Sequence, residues 1–183
     1  MQRAGVRSLV AAFVPAEDRA AQKSQELILQ LLDHSAQPFS REQFQPGHIT
    51  ATGLVLHPQH EAILLVLHRR LGRWLLPGGH VEEFDVRAWD TARREVIEET
   101  GARLAVLADP KLVGLDVHGI PPRASEPFHL HHDLVFAFQA QAEKLEASEE
   151  ARAVVWCGEG EFDRYRLPGS IRRSFQRALM CRP

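Results

Sequence analysis

A single helical run enclosed by strand-like runs constrains this chain more than any other feature of its sequence. Residues 85–100 read as that helix: Asp85 can cap its N-terminus, and Gly101 stands where a left-handed residue closes a helix. Before it, Ile49–His57 and Ala62–His68 flank a Pro58-Gln59-His60 turn, the pattern of a two-strand hairpin. Trp74-Leu75-Leu76 then leads into Pro77-Gly78-Gly79, which reads as a turn or tight loop. After the helix, strands are expected at 103–107, 112–118, 132–140 and 152–157. A last helix from near Ser170 shows Ile171, Phe175 and Leu179 on one face. Strands with one helix in their midst and another at the end argue for an α/β layered sandwich around a central mixed sheet.

Residues 1–45 differ from the rest, being rich in Ala, Gln and Leu with few β-branched residues. Pro15 should stop a first short helix, and Leu27, Ile28, Leu31 and Leu32 recur at helical spacing after Asp18. We read 1–45 as a helical N-terminal extension and 46–183 as the main domain. The apolar run Leu9–Val14 is too short for a signal-peptide core or a membrane span. Cys157 and Cys181 form neither a disulfide framework nor a zinc spacing, which favours a reducing compartment, and the expected location is the cytoplasm. A formal charge of −2 gives no reason to expect a nucleic-acid polymer as partner.

Chemistry concentrates on the central helix. Glu95, Glu98 and Glu99 stand at i, i+3 and i+4, so three carboxylates share one face within about one turn. Each like-charge pair at that spacing costs roughly 0.2–0.5 kcal/mol. The three also occupy the last turn, where the helix dipole disfavours negative charge. A solvated face with Arg93 and Arg94 as partners is one resolution. A bound divalent cation is the other, since Mg²⁺ prefers carboxylate oxygens and keeps positions open for water and phosphate. Pro77-Gly78-Gly79 just upstream offers a small backbone that a phosphate or metal can approach.

Gly79-His-Val-Glu-Glu-Phe-Asp85 followed by Arg94-Glu-Val-Ile-Glu-Glu-Thr-Gly101 resembles the Nudix box, G-x5-E-x7-R-E-U-x-E-E-x-G-U with U a bulky aliphatic residue. Arg94, Glu95, Val96, Glu98, Glu99 and Gly101 match. Asp85 stands where Glu is usual, eight residues rather than seven separate it from Arg94, and Ala102 is small for the last U. The resemblance implies a Nudix-like α/β/α sandwich and a Mg²⁺- or Mn²⁺-dependent pyrophosphohydrolase. Its substrate would be a small nucleotide-type diphosphate, with neither membrane nor nucleic-acid partner, and a homodimer is open. It further implies that Glu98 and Glu99 bind metal, with Glu95 a further ligand or the general base. The Gly78 carbonyl would be a backbone ligand, and Arg94 would hold the glutamates in orientation. Glu150, six residues before Trp156, would complete the metal site, with Glu149 the second choice.

Other residues invite weighing. His129, His131 and Asp133 alternate and should share one strand face, with His132 opposite. They suit either a second metal or phosphate contact, or hydrogen-bonded strand histidines beside the pocket. His48 and His80 flank the same region. Arg69, Arg70 and Arg73 suit phosphate or simple surface charge, while Trp74 and Trp89 read as core. Two rival functions remain: a Nudix-fold sensing or interaction module without catalysis, and an enzyme like isopentenyl-diphosphate isomerase. The isomerase uses several His and a Cys, but Cys157 and Cys181 lie at the wrong end of the chain to match.

Overall fold

Seven strands form one mixed sheet in the computed structural model, which describes residues 1–105, 109–123, 126–149 and 151–181. In chain order the elements are α1 (Arg3–Ala12), α2 (Arg19–His34), β1 (Gly47–Leu56), β2 (Ala62–His68), β3 (Arg73–Leu75) and β4 (Gly78–His80). Then follow α3 (Ala88–Thr100), β5 (Lys111–Ile120), β6 (His129–Gln139), β7 (Ala151–Gly158) and α4 (Gly169–Met180). The main path runs β3-β2-β1-β6-β5, with β4 added to β1 and β7 to β2. Strands β1 and β6 pair in parallel from Gly47↔Leu130 to Leu56↔Gln139, and every other pairing is antiparallel. The expected α/β sandwich with a mixed sheet is therefore present.

The β1–β2 hairpin opens almost at once, sharing only the Leu56↔Ile63 pair. That opening lets β4 occupy the edge of β1 at Thr50–Thr52, while β7 takes β2. Alternation along the strands then divides the core. Ile49, Ala51 and Val55 of β1 and Phe136 of β6 pack with Ala92 and Val96 of α3 and with Ile28 and Leu32 of α2. On the opposite face, Leu54, Val135 and Ala137 pack with Phe175 and Ala178 of α4. Toward the other end of this second face, Thr50, Thr52, His129, His131 and Asp133 replace the apolar residues and line a cavity.

The N-terminal helices share the core rather than lying apart from it. Asp18 caps α2, accepting the Ala21 N–H at 3.1 Å, and also pairs with Arg173 at 2.7 Å and Arg177 at 3.0 Å on α4. Among the described residues no helix is long and apolar enough to cross a membrane.

Three local expectations are corrected. Helix α3 begins at Ala88, not Asp85, because the Asp90 carboxylate accepts the Arg87 N–H at 2.8 Å and sets the first turn there. Gly78-Gly79 is not a turn: it is extended and hydrogen-bonded to β1, and neither glycine has a positive φ. The expected strand at 103–107 reduces to one bridge, Leu104↔Ala140, with 106 and 107 outside the described residues.

Candidate active site

Helix α3 presents its glutamates to strand β4. The 3.6-residue period puts Glu95, Glu98 and Glu99 on one side, and all three line a cavity of about 980 Å³. Glu99 is only 5% exposed, and its Oε2 accepts the Gly78 N–H at 3.1 Å. Glu95 lies over Gly79 so closely that a Cβ there would stand 2.5–2.8 Å from its carboxylate. Gly101 closes the helix with φ 61°, as its sequence position predicts.

Arg94 ties the carboxylates together. One terminal nitrogen donates to Glu95 Oε1 at 2.6 Å and Glu98 Oε2 at 3.0 Å. The other donates to Asp85 Oδ2 at 3.1 Å and to the His80 carbonyl at 2.8 Å. Asp85 also accepts from the Glu82 N–H at 3.0 Å and the Thr91 hydroxyl at 2.8 Å. Burial acts to raise its pKa, but the hydrogen bonds from Arg94, Glu82 and Thr91 together hold the carboxyl below its ordinary value. Asp85 thus anchors Arg94 instead of capping α3, a role its displaced spacing concealed.

Three carboxylates, those of Asp85, Glu95 and Glu98, gather around this single guanidinium, while Glu99 is held on the Gly78 N–H. The hard oxygens of Glu95, Glu98 and Glu99 face the cavity and suit Mg²⁺ or Mn²⁺ in donor type. Glu150 lies outside the described residues; Glu149 lines the same cavity. Arg70 and Arg73 also line it, as do Arg41, Arg123 and Arg166, which no local motif marks out. Trp74 has a share in both places: it stands edge-on to Tyr165 beside the core and lines the cavity. Trp89 packs on the core under the Arg87 guanidinium.

Sheet register builds a second polar group next to the carboxylates. His48 pairs with His131, which pairs with His118, so three adjacent strands carry histidine in one row. His80 enters from β4 opposite Thr50, and His129 lies two residues along β6. Ring centroids are 5.1 Å apart for His48–His80, 4.9 Å for His48–His131 and 5.1 Å for His80–His131. Burial pushes His80 down to about 4 and His131 to about 2, reinforced by the neighbouring imidazoles, so both are neutral. His48 is likewise lowered by burial. The Nε2 atoms of His48 and His131 are buried with no hydrogen-bond partner. An unsatisfied buried polar group costs about 1–3 kcal/mol. Next in line, Asp133 is buried and raised, accepting hydrogen bonds from Thr50 and Thr52 at 2.9 Å each. His132 faces the other way, as alternation requires.

Neither cysteine reaches the site. Cys157 is fully buried among Leu54, Ile63 and Phe175, and burial lifts its thiol to about 11. Cys181 is exposed at the end of α4. The isomerase reading therefore lacks its cysteine at this site.

A family model described as the NUDIX domain matches residues 47–178. No curated protein sequence matches the chain. Several solved structures are similar in fold. The NUDIX domain of Shewanella oneidensis NrtR, complexed with ADP ribose, is 17% identical with a TM-score of 0.53, over 73% of this chain and 86% of that one. A NUDIX-family hydrolase from Clostridium perfringens is 18% identical, TM-score 0.55, over 74% and 98%. A C. elegans Ap4A hydrolase in a binary complex is 15% identical, TM-score 0.52, over 73% and 96%.

Proposed function

Because the chain belongs to the NUDIX family and is a pyrophosphohydrolase of that type, we propose that it hydrolyses a diphosphate bond in a nucleotide-type substrate, using Mg²⁺ or Mn²⁺. The observation that carries this reading is the gathering of Glu95, Glu98 and Glu99 at one cavity, against the backbone of Gly78 and Gly79. We take 46–183 as the hydrolase domain, 1–45 as its helical extension, and the cytoplasm as its location. Two free cysteines accord with a reducing compartment.

In this mechanism Glu95, Glu98 and Glu99 would hold the metal, and the Gly78 carbonyl and Glu150, or Glu149 in its place, would complete the set. When bound, the divalent ions neutralise charge on the diphosphate oxygens and make water a stronger acid. Glu95 accepts the proton of the attacking water. The water oxygen bonds to phosphorus as the bridging P–O bond breaks, and the second phosphate leaves with the bridging oxygen. Arg94 is a positioning residue, fixing Glu95 and Glu98 while Asp85 fixes it. Arginines at the cavity wall, Arg70 and Arg73 among them, supply positive charge for the remaining phosphate oxygens.

The similar structures include one complexed with ADP ribose and one named an Ap4A hydrolase, which puts ADP-ribose and dinucleoside polyphosphates first on a substrate panel beside nucleoside triphosphates. Phosphate or pyrophosphate release from that panel, with Mg²⁺ and with Mn²⁺, tests the reading. Glu98→Gln should keep the fold and lower turnover at least about a hundredfold. Unchanged turnover at saturating Mg²⁺ would remove Glu98 from the machinery. No release from any member, with a folded wild-type protein, would favour the sensing module.

A further inference from the structure

Beside the carboxylates sits a second donor set of different chemistry, and its members come from three strands far apart in sequence. One ring nitrogen from each of His48, His80 and His131 lies within 4.8 Å of the others. Across a tetrahedral site with 2.0–2.1 Å metal–nitrogen bonds the ligand atoms stand about 3.4 Å apart, so modest inward rotation of the rings would close the set. From this convergence we infer that His48, His80 and His131 form a binding site for a transition-metal dication such as Zn²⁺, separate from the carboxylate site for Mg²⁺ or Mn²⁺.

The ring environments fit ligation better than packing alone. His48 is 1% exposed and its Nδ1 makes a 3.2 Å hydrogen bond with the Gln43 carbonyl. That bond requires the proton on Nδ1 and leaves a lone pair on Nε2, the orientation that metal-bound histidines take from such partners. The buried Nε2 of His48 and that of His131 have no partner within the protein. A stack of neutral imidazoles could satisfy itself by ring-to-ring hydrogen bonds, and these two nitrogens do not. Imidazole is a borderline donor that selects Zn²⁺ and its neighbours over Mg²⁺ or Ca²⁺, so the two donor sets divide the cations between them. His80 and His131 also line the cavity that holds the glutamates. Three protein ligands leave a fourth position, and in this wall it is open to water or to a substrate oxygen.

Metal content tests the site without reference to catalysis. Chelator-stripped protein should take up about one Zn²⁺ per chain against a competing chelator, and Co²⁺ in its place should give the intense visible bands of a tetrahedral nitrogen site. His80→Gln and His131→Gln should each weaken Zn²⁺ binding at least about tenfold and bleach the Co²⁺ bands, while Glu98→Gln leaves both intact. Bands that persist unchanged in folded His80→Gln and His131→Gln would overturn the assignment, as would failure of the wild type to bind Zn²⁺. X-ray absorption of the Zn²⁺-loaded wild type needs no variant: three imidazole nitrogens support the site, and a shell of oxygens only refutes it.

Discussion

Replacing Arg94 by Met should destabilise the fold chiefly through one carboxylate, Asp85. Arg94 pairs with three acids, but they are unequally buried: side-chain exposure is 3% for Asp85, 15% for Glu95 and 58% for Glu98. The exposed Glu98 pair contributes at most about 1 kcal/mol. Removing one partner of a buried pair costs about 3–5 kcal/mol. Asp85 would keep the Glu82 N–H and the Thr91 hydroxyl, which places Arg94→Met near the low end, about 3 kcal/mol. Urea denaturation in metal-free buffer would show this as a midpoint lower by about 1–2 M, taking a slope of roughly 2 kcal/mol per M.

A double-mutant cycle isolates the pair. Asp85→Asn added to Arg94→Met removes the stranded charge, so the double variant should recover part of the loss, with a coupling of about 2 kcal/mol. The pH dependence has a defined sign. Asp85 is depressed in the folded protein, so its contribution is present above the unfolded carboxyl pKa and is lost as pH falls through the folded value. The gap between wild type and Arg94→Met should therefore narrow below about pH 4. A loss under 1 kcal/mol, or strict additivity in the cycle, would refute the view that Asp85 anchors Arg94.

Gly79→Ala should leave a folded protein whose turnover is lower by about a hundredfold, because the new Cβ meets only the movable end of Glu95; steady-state kinetics beside a thermal melt checks this, and wild-type kcat would contradict it. In metal-free protein, stability should fall as pH drops from about 6.5 to 4, since the unfolded chain takes up protons that His80 and His132, both pushed to about 4, and His131 refuse. His118, raised by Asp116, and Asp133, raised by burial, oppose this in part, so a flat urea midpoint across that range would count against the buried-histidine picture. Asp18→Ala should cost about 2–3 kcal/mol, because it loses the α2 cap and the pairs to Arg173 and Arg177 together; a melt within 2 °C of wild type would show that α2 is not tied to α4 there.

What was legible in the sequence follows from which interactions are local. The spacing of Glu95, Glu98 and Glu99 fixes their common face through the helical period alone, and Gly101 marks its own cap. The alternation of His129, His131 and Asp133 gave their common face in the same way. Their partners were hidden, because His48 reaches His131 only through the parallel register of β1 with β6. Asp85 was misread for a related reason: Asp90 competes for the cap role locally, and the pull of Arg94 on Asp85 spans nine residues.

Strand β4 shows most plainly why a local reading of Pro77-Gly78-Gly79 could not succeed. Glycine propensity points to a turn, yet both residues adopt backbone conformations open to any residue. Their smallness is needed for contact: a Cβ on Gly78 would stand 2.8 Å from the Thr52 Cα, and one on Gly79 would strike the Glu95 carboxylate. Three ladder pairs with β1 are a weak hold for so short a strand. The rest comes from the site itself, through Glu99 on the Gly78 N–H and Arg94 on the His80 carbonyl. The same residue that gives Arg94 its carbonyl turns its ring toward His48 and His131. Strand β4 therefore fixes the spacing between the carboxylate and histidine groups, and a displacement of either must be felt by the other.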